Sequence, residues 1–278
     1  MKLLSSALLL ICLAASPACA QSTKIFLSAS GNDANDGSRF NPKRSFQAAH
    51  NSVASGGNIV VLDTAGYGQL NITKSIAITV PPGVNGFVTV SGFGSGIVID
   101  AGASAVVALQ GLIIEGSGVY TNSGVRIVSA KTVTIEDTQI RNFQTAGITT
   151  YDLTTDFSLQ LRRTSIHDMP GFGVDLAPNA AVNLRAEIVD TSVQGANQAF
   201  YVGDRALAFL TRSEITGGSI GLLAAGGVAF LDACKISHND KAFDLFRGGI
   251  IYTLGNNAVA FNTTYISGAS DLTPLPAR

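Results

Sequence analysis

The chain of 278 residues has no tryptophan, two methionines and three cysteines, and only 13% of it is charged. About a quarter charged is usual for a globular chain. Two of the cysteines, Cys12 and Cys19, fall in an N-terminal leader, so one, Cys234, would remain after processing. No disulfide can then form within the chain, and stability must come from packing. Cys234 is expected to be buried and inert. Taking Lys2 from the 18 basic residues leaves 17 against 19 acidic ones, a net charge near −2. No basic patch is left to draw a nucleic acid or an anionic membrane surface. No apolar run is long enough to span a bilayer as a helix. No His/Cys/Glu set has zinc spacing, and no glycine-rich run stands in a strand–turn–helix unit that would cradle a phosphate.

The leader is Met1 to Ala20. Lys2 supplies a positive start, Leu8 to Ala15 the apolar stretch, and Ala18-Cys19-Ala20 a small-x-small cleavage site before Gln21. Pro17, and the lack of an aliphatic three residues before Cys19, argue against acylation of that cysteine. The mature chain is expected to be secreted or periplasmic.

What is present is repetition. One phrase reads GVRI at Gly124, GITT at Gly147, GVDL at Gly173, AFYV at Ala199, GLLA at Gly221 and AFDL at Ala242, with starts 23, 26, 26, 22 and 21 residues apart. A second phrase keeps step with it and closes on Ile140, Ile166, Val193, Ile215, Ile236 and Val259. A repeat of this length, built of short alternating strands with no helical period inside it, predicts one coil of a parallel β-helix per unit. The fold class is therefore all-β, a right-handed parallel β-helix. Roughly nine coils fit at one coil per ~23 residues. Two positions before each closing aliphatic stands a small polar or thiol residue: Thr138, Thr164, Thr191, Ser213, Cys234 and Asn257. Parallel strands repeat every ~4.8 Å, so these residues stack in a column at a bend, a structural rather than catalytic placement.

Four segments are expected. Residues 1–20 form the leader, 21–57 a strand, loop and capping helix, 58–265 the coils, and 266–278 a C-terminal tail. Ser45 is placed as the cap of a helix running to Ser55, with Phe46, Ala49 and Val53 on one face and Gly56-Gly57 ending it. His50 lies on the edge of that face. Asp33 and Asp36 offer either a calcium pair or local Asx turns, and the turns are favoured.

The opening FLSASGNDANDGS…NPKRSFQAA, followed by the coils, resembles the secreted right-handed parallel β-helix proteins of the pectate-lyase-like superfamily. The resemblance covers nearly the whole mature chain and implies a solenoid capped by a helix. It also implies a polysaccharide partner, and polysaccharide lyases, hydrolases or uronate epimerases as activities. The segment GFGVDLAPN, Gly171 to Asn179, resembles the Y-G-x-D-P-H-D-D segment of mannuronan epimerases. Gly173 and Asp175 match its glycine and first aspartate. Phe172, Leu176, Ala177, Pro178 and Asn179 depart from it, so only Asp175 is carried over.

On such a coil the third residue of the first phrase should face outward: Arg126, Thr149, Asp175, Tyr201, Leu223 and Asp244. Tyr151, Asp152, Asp204 and Arg205 follow at strand ends. Asp175, Asp152, Arg126 and Arg205 are the candidate catalytic residues, and Tyr151, Phe172, Tyr201 and Asp204 the candidate substrate contacts. No metal ligand is assigned. Uronate β-elimination needs a neutralised carboxylate, a base and an acid. Calcium or an Arg serves the first need, and Arg, Lys, His or Tyr the others. Asp175, facing outward, should be replaceable by Ala with loss of activity and little loss of stability. His167-Asp168 is either a base with its orienting carboxylate or an ordinary solvated turn, with His238 as its counterpart later in the chain. The competing reading of the whole chain is a non-catalytic solenoid for carbohydrate binding, adhesion or envelope structure.

Overall fold

A computed structural model describes residues 21–275 except 119, 180 and 270. The expected leader lies outside the described residues. The chain forms about eight turns of parallel β-solenoid with one short helix near its start, a right-handed parallel β-helix. Each regular coil contributes three strands, one to each of three parallel ladders. The first ladder runs from Ser22–Leu27 through Val53–Val61, Val106–Gln110, Phe157–Arg162 and Ala206–Thr211 to Thr273–Pro274, in an 11-stranded sheet. The second passes through Leu112–Gly116, Gln139–Arg141, Glu214–Thr216 and Lys235–Ser237. The third passes through Ser123–Ser129, Ala146–Thr149, Ile220–Ala225 and Lys241–Phe246 to Thr264–Ser267. The long strands Ser165–Leu176 and Ser192–Gly203 bend and serve both.

The two phrases of the repeat interlock. The closing aliphatics Ile140, Ile166, Val193, Ile215 and Ile236 are fully buried in the bore. Against them lie the opening residues of the first phrase, which must be small. A Cβ on Gly147 would come within 2.7 Å of Ile166 Cγ2 and 2.6 Å of the Gly173 carbonyl oxygen. Glycine or alanine therefore starts each first phrase because the next coil's aliphatic occupies the space.

The stacked small residues stand at the corner between first and second ladders. Just before five of them the chain turns through a left-handed residue: Asp137, Arg163, Asp190, Arg212 and Ala233, at φ 44–53°. The hydroxyl that follows donates back to the carbonyl two residues earlier: Thr138 to Glu136 (2.9 Å), Thr164 to Arg162 (3.0 Å), Thr191 to Val189 (3.1 Å) and Ser213 to Thr211 (3.0 Å). Each of these carbonyls also accepts a backbone amide from the preceding coil (Gly111, Asp137, Arg163 and Asp190, at 3.0–3.2 Å), so the hydroxyl supplies a second bond that pins the bend. Cys234 takes the same place, its thiol 3.3 Å from the Leu210 carbonyl oxygen, and burial raises its pKa. A buried, protonated thiol is unreactive. On the outside of this corner charges alternate, with Arg163 on Asp137 (2.7 Å) and Arg212 on Asp190 (2.8 Å).

The N-terminal helix spans Phe46–Ser52, and Ser45 caps it by accepting from the Ala48 amide at 3.3 Å. It ends before the expected Ser55. β-Branched Val53 already belongs to the strand Val53–Val61, which joins the first ladder. Phe46 and Ala49 are buried, and Phe46 meets Tyr67 edge-on at 5.5 Å. His50 is buried, and its Nε2 accepts from the Thr73 amide (3.2 Å). Burial lowers its pKa, so it serves as a neutral capping group. Asp33 accepts from the amides of Arg44 and Ser45 and from the Ser45 hydroxyl, at 2.8–2.9 Å. Asp36 accepts from the Ser38 amide (2.8 Å) in an Asx turn.

At the other end the coils continue past the expected boundary at residue 265. Thr264–Ser267 pairs with Lys241–Phe246, and Thr273–Pro274 with Ile250–Thr253. Among the described residues no helix is long and apolar enough to cross a membrane.

Candidate functional site on the third ladder

The outward column of the third ladder has the register expected from the repeat. Arg126 pairs with Thr149, Thr149 with Asp175, Asp175 with Tyr201, Tyr201 with Leu223, and Leu223 with Asp244. Asp175 and Asp244 are thus three rungs apart, ~14 Å.

Asp175 is the unusual member. It faces outward in register yet is only 8% exposed, lying between Thr149 and Tyr201. This corrects the expectation of a freely exposed carboxylate. The ring on the next rung and the hydroxyl below cover it, which alternation along a strand cannot show. Its Oδ2 accepts from the Thr149 hydroxyl (2.9 Å). Its Oδ1 has no hydrogen-bond partner among the described residues. Among the described residues the one buried side-chain oxygen or nitrogen without a partner is Oε1 of Gln198, so Asp175 Oδ1 is open to water. Burial pushes the Asp175 pKa up to about 6, and the Thr149 bond only partly offsets it.

Tyr201 stands one rung above. Its phenol is pushed upward by burial first and then by the charge of Asp175, while Arg247 pulls it down. Its ring meets Phe172 edge-on at 5.6 Å. Arg247 follows the strand Lys241–Phe246 and stacks on Phe246 at 5.2 Å. By register it lies two rungs beyond Asp204, with Gly226 between them. Asp204 leans into the space that a Cβ on Gly226 would fill. The absent side chain leaves that space to the Asp204 carboxylate. Thr149 had a place in the outward column but no role, and Arg247 was not singled out. The signal for Arg247 was Gly226, a gap one coil long between two charged turn residues.

The other expected residues are placed less favourably. Arg126 Nε bonds Asp152 Oδ2 at 2.7 Å, with both side chains about two-fifths exposed. That pair neutralises itself, so Asp152 is not free to share a water with Asp175. Arg205 and Asp204 lie exposed in the turn after Gly203. Tyr151 is 53% exposed beside Asp152 and Asn179. At the corner that opens the same ladder, two coils toward the N-terminus, Phe93 and Tyr120 touch with ring centroids 5.3 Å apart. Both are exposed.

His167 does not join this site. It faces outward from the second ladder, with Nδ1 2.8 Å from Asp168 Oδ2 and Nε2 2.9 Å from Gln139 Nε2. His238 is not its counterpart. His167 aligns with Gln194, Thr216 and Ser237, so His238 occupies the place of Asp168. Both take left-handed backbone, at φ 58° and 61°, so the shared feature is the bend. The resemblance would also bring calcium, to which no ligand is assigned. Among the described residues no three His, Cys, Asp or Glu groups converge, and Asp33 and Asp152 are already engaged.

Comparison with solved structures finds the same coiled architecture in three proteins. Pectate lyase Pel9A is 12% identical, with a TM-score of 0.57 over 90% of this chain and 79% of that one. ORF18 of Geobacillus virus E2 is 12% identical, with a TM-score of 0.54 over 78% of this chain and 53% of that one. The alginate lyase from Paenibacillus sp. str. FPU-7 is 11% identical, with a TM-score of 0.51 over 80% and 94%. What is shared at these identities is the fold, a pectate-lyase-like parallel β-helix. No family model matches the chain, and no curated protein matches it in sequence.

Proposed function

We propose that this protein is exported and engages an acidic polysaccharide along the third ladder, eliminating across a uronate with Asp175 as base and Tyr201 as acid. The observation that carries the proposal is the Asp175 carboxyl: buried and outward in register, with one oxygen tethered to Thr149 and the other open. A carboxyl titrating near 6 is ionised at neutral pH yet basic enough to accept a proton. The neighbouring phenol keeps its proton, because burial and the Asp175 charge hold it there. At neutral pH the ionised Asp175 and the protonated Tyr201 set a proton acceptor and a proton donor on adjacent rungs. Asp175 would take the proton beside the uronate carboxylate, and Tyr201 would protonate the leaving glycosidic oxygen. Arg247, close enough to act on Tyr201, would neutralise the uronate carboxylate. No step is assigned to calcium. Two structural neighbours, a pectate lyase and an alginate lyase, support a polyuronate as substrate class.

The Arg126–Asp152 pair favours a second reading, in which the face binds a glycan without cleaving it. The test is a screen of purified mature protein on pectate, alginate and glycosaminoglycan polyuronates, with calcium and with chelator, following ultraviolet absorbance of unsaturated product. The proposal expects product from at least one polymer and none from Asp175→Asn. Silence on all of them by correctly folded protein would leave the binding reading.

A further inference from the structure

The second ladder carries a feature that the third-ladder site does not use. Where the chain leaves the first ladder after Val80, Pro81-Pro82-Gly83 swings outward and returns at Asn85. The turn is closed by the Val84 amide on the Pro81 carbonyl (3.1 Å) and anchored by the Asn85 amide on the Thr64 hydroxyl (3.0 Å). Between this loop and the corner column lies an open cavity of about 700 Å³, within the usual range for a small-molecule site. Its wall is stiff, because two prolines fix their own backbone and little entropy is lost on binding.

The lining is of two kinds. Pro82, Val84 and Ile113 offer apolar surface, while Asn85, Gln110 and Gln139 bring three side-chain amides. An amide presents a donor and an acceptor together, the pairing that a hydroxyl group needs; Gln110 Nε2 already donates to Asp137 Oδ2 (3.4 Å), which leaves its carbonyl oxygen as the acceptor. Gln139 is oriented for this. His167 Nδ1 donates to Asp168 Oδ2, which leaves His167 Nε2 to accept from the Gln139 amide nitrogen. The Gln139 carbonyl oxygen then remains as an acceptor. The charges at the cavity are already paired: Arg163 binds both Asp137 (2.7 Å) and Glu136. An anionic ligand would find no unpaired cation there.

We infer that this cavity is a binding site for a neutral saccharide unit, whose hydroxyls meet the Asn85, Gln110 and Gln139 amides while its C–H face rests on Val84 and Ile113. It lies on a different ladder from Asp175, so a chain held there would be tethered without entering the third-ladder site. The inference stands whether or not the third ladder is catalytic.

The experiment is a titration of the full mature protein with cello-, xylo-, manno- and chito-hexaose, followed by backbone amide chemical shifts. The expected result is saturable shifts around Gly83–Asn85 and Gln139 with at least one of them. Affinity should fall about tenfold in Gln139→Ala and in Asn85→Ala, as expected from one or two lost hydrogen bonds, and stay unchanged in Tyr201→Phe. Failure of the lyase screen would not bear on this result. No shifts at millimolar concentration with any hexaose, or affinity unchanged in both cavity variants, would overturn the inference.

Discussion

Replacing Asp175 by Asn should make the protein more stable at neutral pH and leave it unchanged in acid. Asn retains an oxygen for the Thr149 hydroxyl, now 2.9 Å from Oδ2, and carries no charge to bury. In the wild type the carboxyl titrates near 6 when folded, against 3.8 as its ordinary value. The folded state therefore holds the proton more tightly than the unfolded chain. Below about pH 4 both states are protonated, and the group is neutral toward folding. As the pH rises from 4 to 6 the unfolded chain releases its proton first, and wild-type stability falls. Above 6 the full penalty, roughly 3 kcal/mol at 1.36 kcal/mol per pKa unit, is present. At about 2–4 °C per kcal/mol for a chain of this size, Asp175→Asn should melt roughly 6–12 °C higher at pH 8 and level with wild type at pH 4. Paired thermal melts from pH 4 to 8 provide the assay. Parallel curves, or a variant weaker at every pH, would refute the buried-carboxyl account and with it the assignment of Asp175 as base.

Other consequences are separately measurable. Gly147→Ala should lower stability by about 1–3 kcal/mol, because the new Cβ presses on Ile166 and the Gly173 carbonyl; denaturant unfolding against Ala199→Gly checks that the penalty comes from overpacking. Thr191→Val should lose about 0.5–1.5 kcal/mol, the net worth of one hydrogen bond, because the Val189 carbonyl keeps the Arg163 amide (3.1 Å), while Thr191→Ser recovers most of it. Asp152→Asn should change unfolding free energy by under ~1 kcal/mol, since the Arg126–Asp152 pair is exposed. Tyr201→Phe should retain the melting temperature and lose product formation; retained product would remove the phenol from the mechanism.

The coils were legible because a solenoid writes its register into the chain: equivalent positions recur, so one outward residue predicts the whole column. Arg126, Thr149, Asp175, Tyr201, Leu223 and Asp244 pair in that order. Alternation, however, gives direction and not cover. It placed Asp175 outward but could not show Tyr201 and Thr149 closing over it, because that depends on rotamers of neighbouring rungs. The His167–His238 comparison slipped by one residue because coil lengths vary between 21 and 26, so matched dipeptides need not occupy matched rungs. The helix ended early because Val53 could serve either the helix face or a strand, and the first ladder took it. The cavity at Pro81-Pro82 lay in the least regular coils, where no repeat defined an equivalent position.

The most direct test of the central claim is where a polyuronate fragment sits. Backbone amide shifts of Asp175→Asn should be recorded as an oligogalacturonate or an oligoalginate is added. The account predicts perturbation along Thr149–Asp152, Phe172–Leu176 and Tyr201–Arg205, extending to Arg247. Binding confined to another face, or no binding by either oligomer, would contradict it.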